Sequence, residues 1–200
     1  MFSGPSAGEW RVRLASVEDA EVFVALVQRG FAESRRTPLP SSALGETVQV
    51  VRRSLDHDLG ALLLLGQEPV GCVRFRLEPR DLARPARAWL ASASDDPSAA
   101  RAVEPASSLH LSRLVVVPEA RGRGAARHLV THLARAAAAV GVEWLRLTAR
   151  SRYPDARPFW LALGFEVTGY SECYGVAELV THLQRRVVAP SRPREGGSES

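Results

Sequence analysis

The residues with the most to offer chemically lie between Leu109 and Val130, in the run LHLSRLVVVPEARGRGAARHLV. A strand-like apolar stretch ends at Pro118 and passes through Arg121, Gly122, Arg123, Gly124, Ala125 and Ala126 into an amphipathic helix. The first amides of a helix have no partner within it, and the helix dipole adds partial positive charge at that end. A glycine-containing loop there lets the backbone close on a phosphate, and Arg121, Arg123 and Arg127 add charge around it. Anion binding is the predicted chemistry. Two familiar phosphate loops do not fit, because no Lys-Ser/Thr pair is present and Arg127 stands where a dinucleotide fingerprint has its third glycine. The bland alternative is a tight strand-to-helix turn.

Such a loop needs a scaffold, and the flanking sequence supplies one. Trp10 to Leu14 alternates apolar with Arg11 and Arg13 as a first strand. Ser16 caps a helix with Asp19 three residues on, and Val22, Phe23, Leu26 and Val27 form its apolar face. After Pro38 and Pro40, the spacing of Leu44, Val48, Val51 and Leu55 predicts a second helix; Ala61–Leu65 and Val70–Leu77 read as a hairpin. Pro79 to Ser108 is expected to be a long loop, followed by a strand over Leu109–Val117. A helix over Ala125–Val140, with Leu129, Leu133, Ala136 and Val140 inward, ends at Gly141. A strand over Trp144–Thr148, a short helix over Asp155–Leu163 and two strands over Phe165–Cys173 and Ala177–Val187 complete the order. The expected class is α/β (α+β), a mixed central sheet of about seven strands with helices on both faces.

Length and composition bound this reading. The chain has 200 residues, consistent with a single domain over residues 9–188 carrying tails over 1–8 and 189–200 that are too poor in apolar surface to order. Its 26 basic residues, all arginine, exceed 22 acidic ones by a net charge of +4. The arginines are scattered along the chain, so no nucleic-acid partner is expected. The apolar run Ala61–Leu65 is far below the ~20 residues of a membrane span and no signal peptide is apparent, so the expectation is a cytoplasmic protein without a membrane partner. Cys72 and Cys173 sit in apolar segments and are expected as buried free thiols.

In its motif the chain resembles the GNAT superfamily of N-acetyltransferases, whose acetyl-CoA motif Arg/Gln-x-x-Gly-x-Gly/Ala is matched in register by Arg121, Gly124 and Ala126. Asp155 to Phe165 (DARPFWLALGF) is similar to the family's fourth helix with its terminal Leu-Gly-Phe, and the element order matches from Trp10 to Val188. The resemblance implies the GNAT fold with its fourth and fifth strands splayed, and acetyl-CoA as acyl-donor cosubstrate. In that fold the strand before the motif pairs with pantetheine as an added strand would, which assigns Val115, Val116 and Val117. The pyrophosphate would lie on the amides from Gly122 to Ala126, through Arg123, Gly124 and Ala125. Asp155 stands where the family often has an asparagine touching the CoA arm, and Phe159 and Trp160 would flank the thiol end. Trp160 departs from the pattern. The family commonly has a tyrosine there to protonate the leaving thiolate, and an indole N–H is not released at neutral pH.

Acyl transfer to an amine needs a neutral nucleophile, stabilisation of an oxyanion and a route for protonating the thiolate. A strand amide near Val115 can serve the oxyanion. For the proton of the amine the candidates are His110, Glu104, Glu119 and Glu172, of which His110 leaves the apolar face of its strand and titrates near ~6.5. Tyr153 or Tyr174 could protonate the thiolate, or it could leave unassisted from a thiol of pKa about 8.5. His128 and His132 have the spacing of a zinc helix but no glutamate beside them, and no metal is expected. Ser112 lacks a hydrolase's glycine elbow. The function expected is N-acetyl transfer to a primary amine, of a small molecule or a protein, by direct attack in a ternary complex; the rival is a non-catalytic CoA or acyl-CoA sensor or scaffold. A homodimer stays open. Acceptor choice is expected in the first two helices, the loop from Pro79 and the final hairpin.

Overall fold

The computed structural model describes residues 10–78, 108–139, 141–152, 155–172 and 179–187. Seven strands form one sheet among these: β1 (Trp10–Leu14), β2 (Leu59–Leu65), β3 (Glu68–Glu78), β4 (Ser108–Val116), β5 (Trp144–Arg150), β6 (Glu166–Glu172) and β7 (Leu179–Arg186). The helices are α1 (Ala20–Gly30), α2 (Val48–His57), α3 (Ala125–Ala139) and α4 (Arg157–Leu161). Strand order is β1-β2-β3-β4-β5-β7-β6; β4 and β5 run parallel and the other neighbours antiparallel. The mixed sheet and the order of elements agree with the sequence reading. The segment Pro79 to residue 107, both tails, and Tyr153, Cys173 and Tyr174 lie outside the described residues.

Alternation decides which face is covered. Phe75, Leu77, Leu109, Leu111, Leu145, Leu147 and Leu183 are buried, while Arg74, Arg76, His110, Ser112, Arg146 and Thr148 between them are not fully so. Gly60, in register with Arg74, directs the space of its missing Cβ at Leu55 and Phe23, so α1 and α2 cover the Arg74 side over β2 and β3. Leu129, Val130, Leu133, Ala134, Ala137 and Ala138 of α3 are buried on the other face. That leaves the polar face of β5, β6 and β7 without a helix among the described residues.

Caps set the helix starts. The Ser16 amide donates to Asp19 Oδ2 at 2.8 Å, and Arg13 grips the same carboxylate through both nitrogens, at 2.7 and 2.6 Å. The second helix begins later than its apolar spacing suggests: Leu44 belongs to a separate 3-10 turn (Ser42–Gly45), and Thr47 Oγ1 caps α2 by accepting from the Val50 amide. In α3, Ala136 is only half-buried where the sequence reading had it inward. Cys72 is a buried free thiol, and burial pushes its pKa well up. No described helix is long and apolar enough to cross a membrane.

Candidate active site

The strand leading into the site comes unpaired on one side. β4 bonds to β3 along its length, but its register with β5 runs only from Ser108↔Trp144 to Leu111↔Leu147. Beyond that β5 is held by β7 alone, and a gap opens between the parallel strands. Arg113 marks its start, with φ of +54°. The register with β3 skips there, Cys72 facing Val115 and Arg74 facing Ser112, so Val73 alone opposes Arg113 and Leu114 in a β-bulge. A non-glycine residue in that conformation costs on the order of 1–3 kcal/mol and must be held. Glu46 holds it. Its side chain is 9% exposed and accepts from Arg113 Nε at 2.9 Å and from Arg74 Nη2 at 2.6 Å, through the same oxygen. Arg113 also donates to Ser42 Oγ, and Glu46 Oε2 has no hydrogen-bond partner among the described residues. Two guanidiniums against one carboxylate leave this group with an excess positive charge.

The bulge decides which main-chain groups face the gap. The Val117 amide donates to the Val70 carbonyl at 2.9 Å, and by alternation Val115 also turns its peptide groups to β3. Leu114 and Val116 therefore address the gap, and the Val116 carbonyl accepts from Arg121 Nε at 3.0 Å. This corrects the expectation for Val115 and Val117, whose main chains are used within the sheet; Val117 is buried as well.

The loop into α3 behaves as its glycines suggest. Gly122 and Gly124 have φ of +73° and +79°, and a Cβ at either would meet nothing within 4 Å. Backbone conformation requires glycine there, and the space above is open. The His128 amide makes the first bond of the helix, to the Gly124 carbonyl at 2.8 Å, leaving the amides of Ala125, Ala126 and Arg127 without a partner inside it. These residues, with Val115, Val116, Phe31, Ala156, Phe159 and Trp160, line a cleft of about 580 Å³. Arg121 serves as a strut, since Nη2 donates to the Gly30 carbonyl at 2.6 Å and Nη1 to Glu33 at 3.4 Å. It ties the end of α1 to β4 where the two already touch: a Cβ on Gly30 would fall 1.7 Å from Val115 Cγ2. Arg127 lines the cleft and reaches the Ala162 carbonyl, whereas exposed Arg123 does not line it. Asp155 is also off the cleft, because both its oxygens grip Arg157, the shortest contact being 2.6 Å.

Trp160 is 7% exposed and stacks edge-on against Phe159 and Phe165, centroids 4.9 and 5.1 Å away. With Phe31, Leu114 and Ala156 it also lines a second cleft of about 210 Å³ that reaches Ser112, Arg113, Thr148 and Arg150. Phe31, Leu114, Ala156 and Trp160 line both clefts, and the two adjoin at this throat. Arg150 braces the second one by donating to the carbonyls of Leu39 and Pro40. His110 lies beyond, half-buried in a third cavity on the open sheet face, and its pKa is lowered, first by burial and next by Arg76. Glu119 is exposed and pairs with Arg29, and Glu172 is exposed on β6, and neither lines any of these three spaces. Glu104, Tyr153 and Tyr174 lie outside the described residues. No group of three or more His, Cys, Asp or Glu able to hold a metal occurs among the described residues. Sequence reasoning missed Glu46, Arg74, Phe31, Leu114 and Arg150; the polar Gly-Glu-Thr before α2 is the single local hint at Glu46.

The fold has counterparts. A family model described as the acetyltransferase (GNAT) family matches residues 31–165, and the chain belongs to that family of acetyltransferases. An acetyltransferase of the GNAT family from Streptococcus pneumoniae is similar in structure at a TM-score of 0.61 and 19% identity, covering 90% of this chain and 99% of that one. A ribosomal-protein alanine N-acetyltransferase from Escherichia coli is similar at 0.60 and 14%, covering 92% and 97%. A chimeric spermidine N-acetyltransferase from Vibrio cholerae is similar at 0.60 and 13%, covering 89% and 95%. At these identities the likeness is one of fold. No curated protein matches the chain in sequence.

Proposed function

We propose that the protein moves the acetyl group of acetyl-CoA to a primary amine by direct attack in a ternary complex. The observation that carries this reading is the throat of Phe31, Leu114, Ala156 and Trp160, where a larger cleft adjoins a smaller one. One cleft has the features of a donor site. Its open glycine loop and unpartnered helix amides suit the pyrophosphate, and the gap-facing peptide groups of Leu114 and Val116 suit pantetheine. The smaller cleft admits the amine from the opposite side of the thioester carbon.

In this reading the amine nitrogen bonds to the acetyl carbon and the carbon–sulfur bond breaks. A strand amide facing the gap stabilises the charge that develops on the carbonyl oxygen. His110 accepts the proton of the ammonium, since its lowered pKa keeps the ring neutral at neutral pH. Trp160 packs against the thioester and donates no proton, and the thiolate leaves unassisted. The test is release of free thiol from acetyl-CoA over an amine panel, corrected for hydrolysis, with the N-acetyl product identified by mass. The chain contains no lysine, so the enzyme offers no ε-amine of its own. Tight CoA binding by calorimetry without amine-dependent thiol release would replace this reading with a non-catalytic CoA-binding module.

A further inference from the structure

The smaller cleft does not end at the throat. It shares Leu147 and Thr148 with the cavity of about 310 Å³ on the open face of the sheet, so the two spaces adjoin at β5. That cavity is walled by His110, Arg146, Thr148, Tyr170, His182 and Gln184. Among the described residues no carboxylate lines either space.

Resting on the acetyltransferase reading, we infer that the acceptor is a small amine carrying an anionic group, a carboxylate or a phosphate, and that Arg146 receives that group. Arg146 projects from the exposed face of β5, in register with His110 on one side and Gln184 on the other. It makes no hydrogen bond or ion pair with a described residue, while the neighbouring acids are engaged elsewhere. Glu78, which feels the charge of Arg146, is held by Arg76 at 2.9 Å. Glu166 accepts from Gln184 at 2.9 Å, and Glu46 sits between Arg74 and Arg113. A guanidinium with its fork unoccupied, beside a second site of excess positive charge at the Arg74–Glu46–Arg113 group, suits a planar or tetrahedral anion. The same field opposes a second ammonium. Burial does most to lower the pKa of His110, and Arg76 and, to a lesser extent, Arg146 act in the same direction against Glu78. A polyamine of the kind named for the Vibrio cholerae chimera would therefore fit this face poorly.

Matched pairs test the inference at saturating acetyl-CoA: phenylalanine against phenethylamine, lysine against cadaverine, and phosphoethanolamine against ethanolamine. The expected result is a tenfold or greater kcat/KM advantage for the anionic member, with the first two pairs and the third separating carboxylate from phosphate. Arg146→Gln should collapse that ratio towards one, mainly through KM, and Arg146→Lys should keep part of it; CoA affinity by calorimetry should match the parent in both. Members without the anionic group equal or better in all three pairs, or an Arg146→Gln effect equal on both members of a pair, overturns this inference alone. Bound CoA without thiol release to any amine overturns the acetyltransferase reading and this inference with it.

Discussion

At Gly124 the outcome depends on one dihedral. A β-branched side chain resists φ of +79°, and its methyls would enter the open space over the helix amides. Gly124→Val is expected to weaken CoA binding by about 2 kcal/mol or more, roughly thirtyfold, as loss of charge-assisted bonds would. Gly124→Ala should be milder. Calorimetry on the folded variants checks this, and unchanged affinity would place the phosphates elsewhere. His110 makes a pH prediction with a definite sign. Burial, then Arg76, lowers its pKa, so kcat/KM should rise with pH through a value below about 6.5 and be level above it. The variant His110→Gln should lose that acid limb; if the limb persists, another group takes the proton. The same shift acts on stability. As pH falls below about 6.5 the unfolded chain takes this proton first, so stability declines until the folded pKa is reached. Denaturant midpoints of the parent should fall between pH 7 and 5.5 by more than those of His110→Gln.

Between elements, the bulge in β4 and the turn before α2 are held by one carboxylate. Glu46→Ala leaves Arg74, 12% exposed, without its partner and is expected to cost about 3–5 kcal/mol, read from denaturant midpoints. It should also raise KM for acetyl-CoA, because the left-handed turn at Arg113 that aims Leu114 and Val116 loses its clamp. Adding Arg113→Gly should recover part of the KM change, as glycine adopts φ of +54° freely; no recovery would mean that the bulge is held by its neighbours alone. This device was invisible in the sequence. Glu46 and its partners are 28 and 67 residues apart, and an ion pair at such separation leaves no periodic trace. Nor does an extra residue show in Leu114 to Val117, an all-apolar run that reads alike in either phase. Strands and helices were legible where alternation or caps speak locally, as at Trp10–Leu14 and at Ser16 with Asp19. The turn into α3 was legible for the same reason, since Gly122 and Gly124 answer to their own φ. The pairing of Asp155 with Arg157, two residues on, was not foreseen in the sequence.

Across the molecule, the sheet is two blocks, β1 to β4 and β5 to β7, joined by the short parallel register from Ser108↔Trp144 to Leu111↔Leu147. A ligand lodged in the gap touches both. CoA at a hundred times its Kd should add about 2.7 kcal/mol to stability. The gain in amide protection should concentrate on Leu114, Val116 and Thr148 to Arg150 flanking the gap; hydrogen exchange that slows uniformly over the chain would show that the blocks do not open separately. With CoA as the ligand proposed here, the seam would bear on the protein's lifetime. Each release would return the molecule to a looser form whose extended backbone at the gap is open to proteases, so the chain would be trimmed sooner where acetyl-CoA is scarce than where it is plentiful.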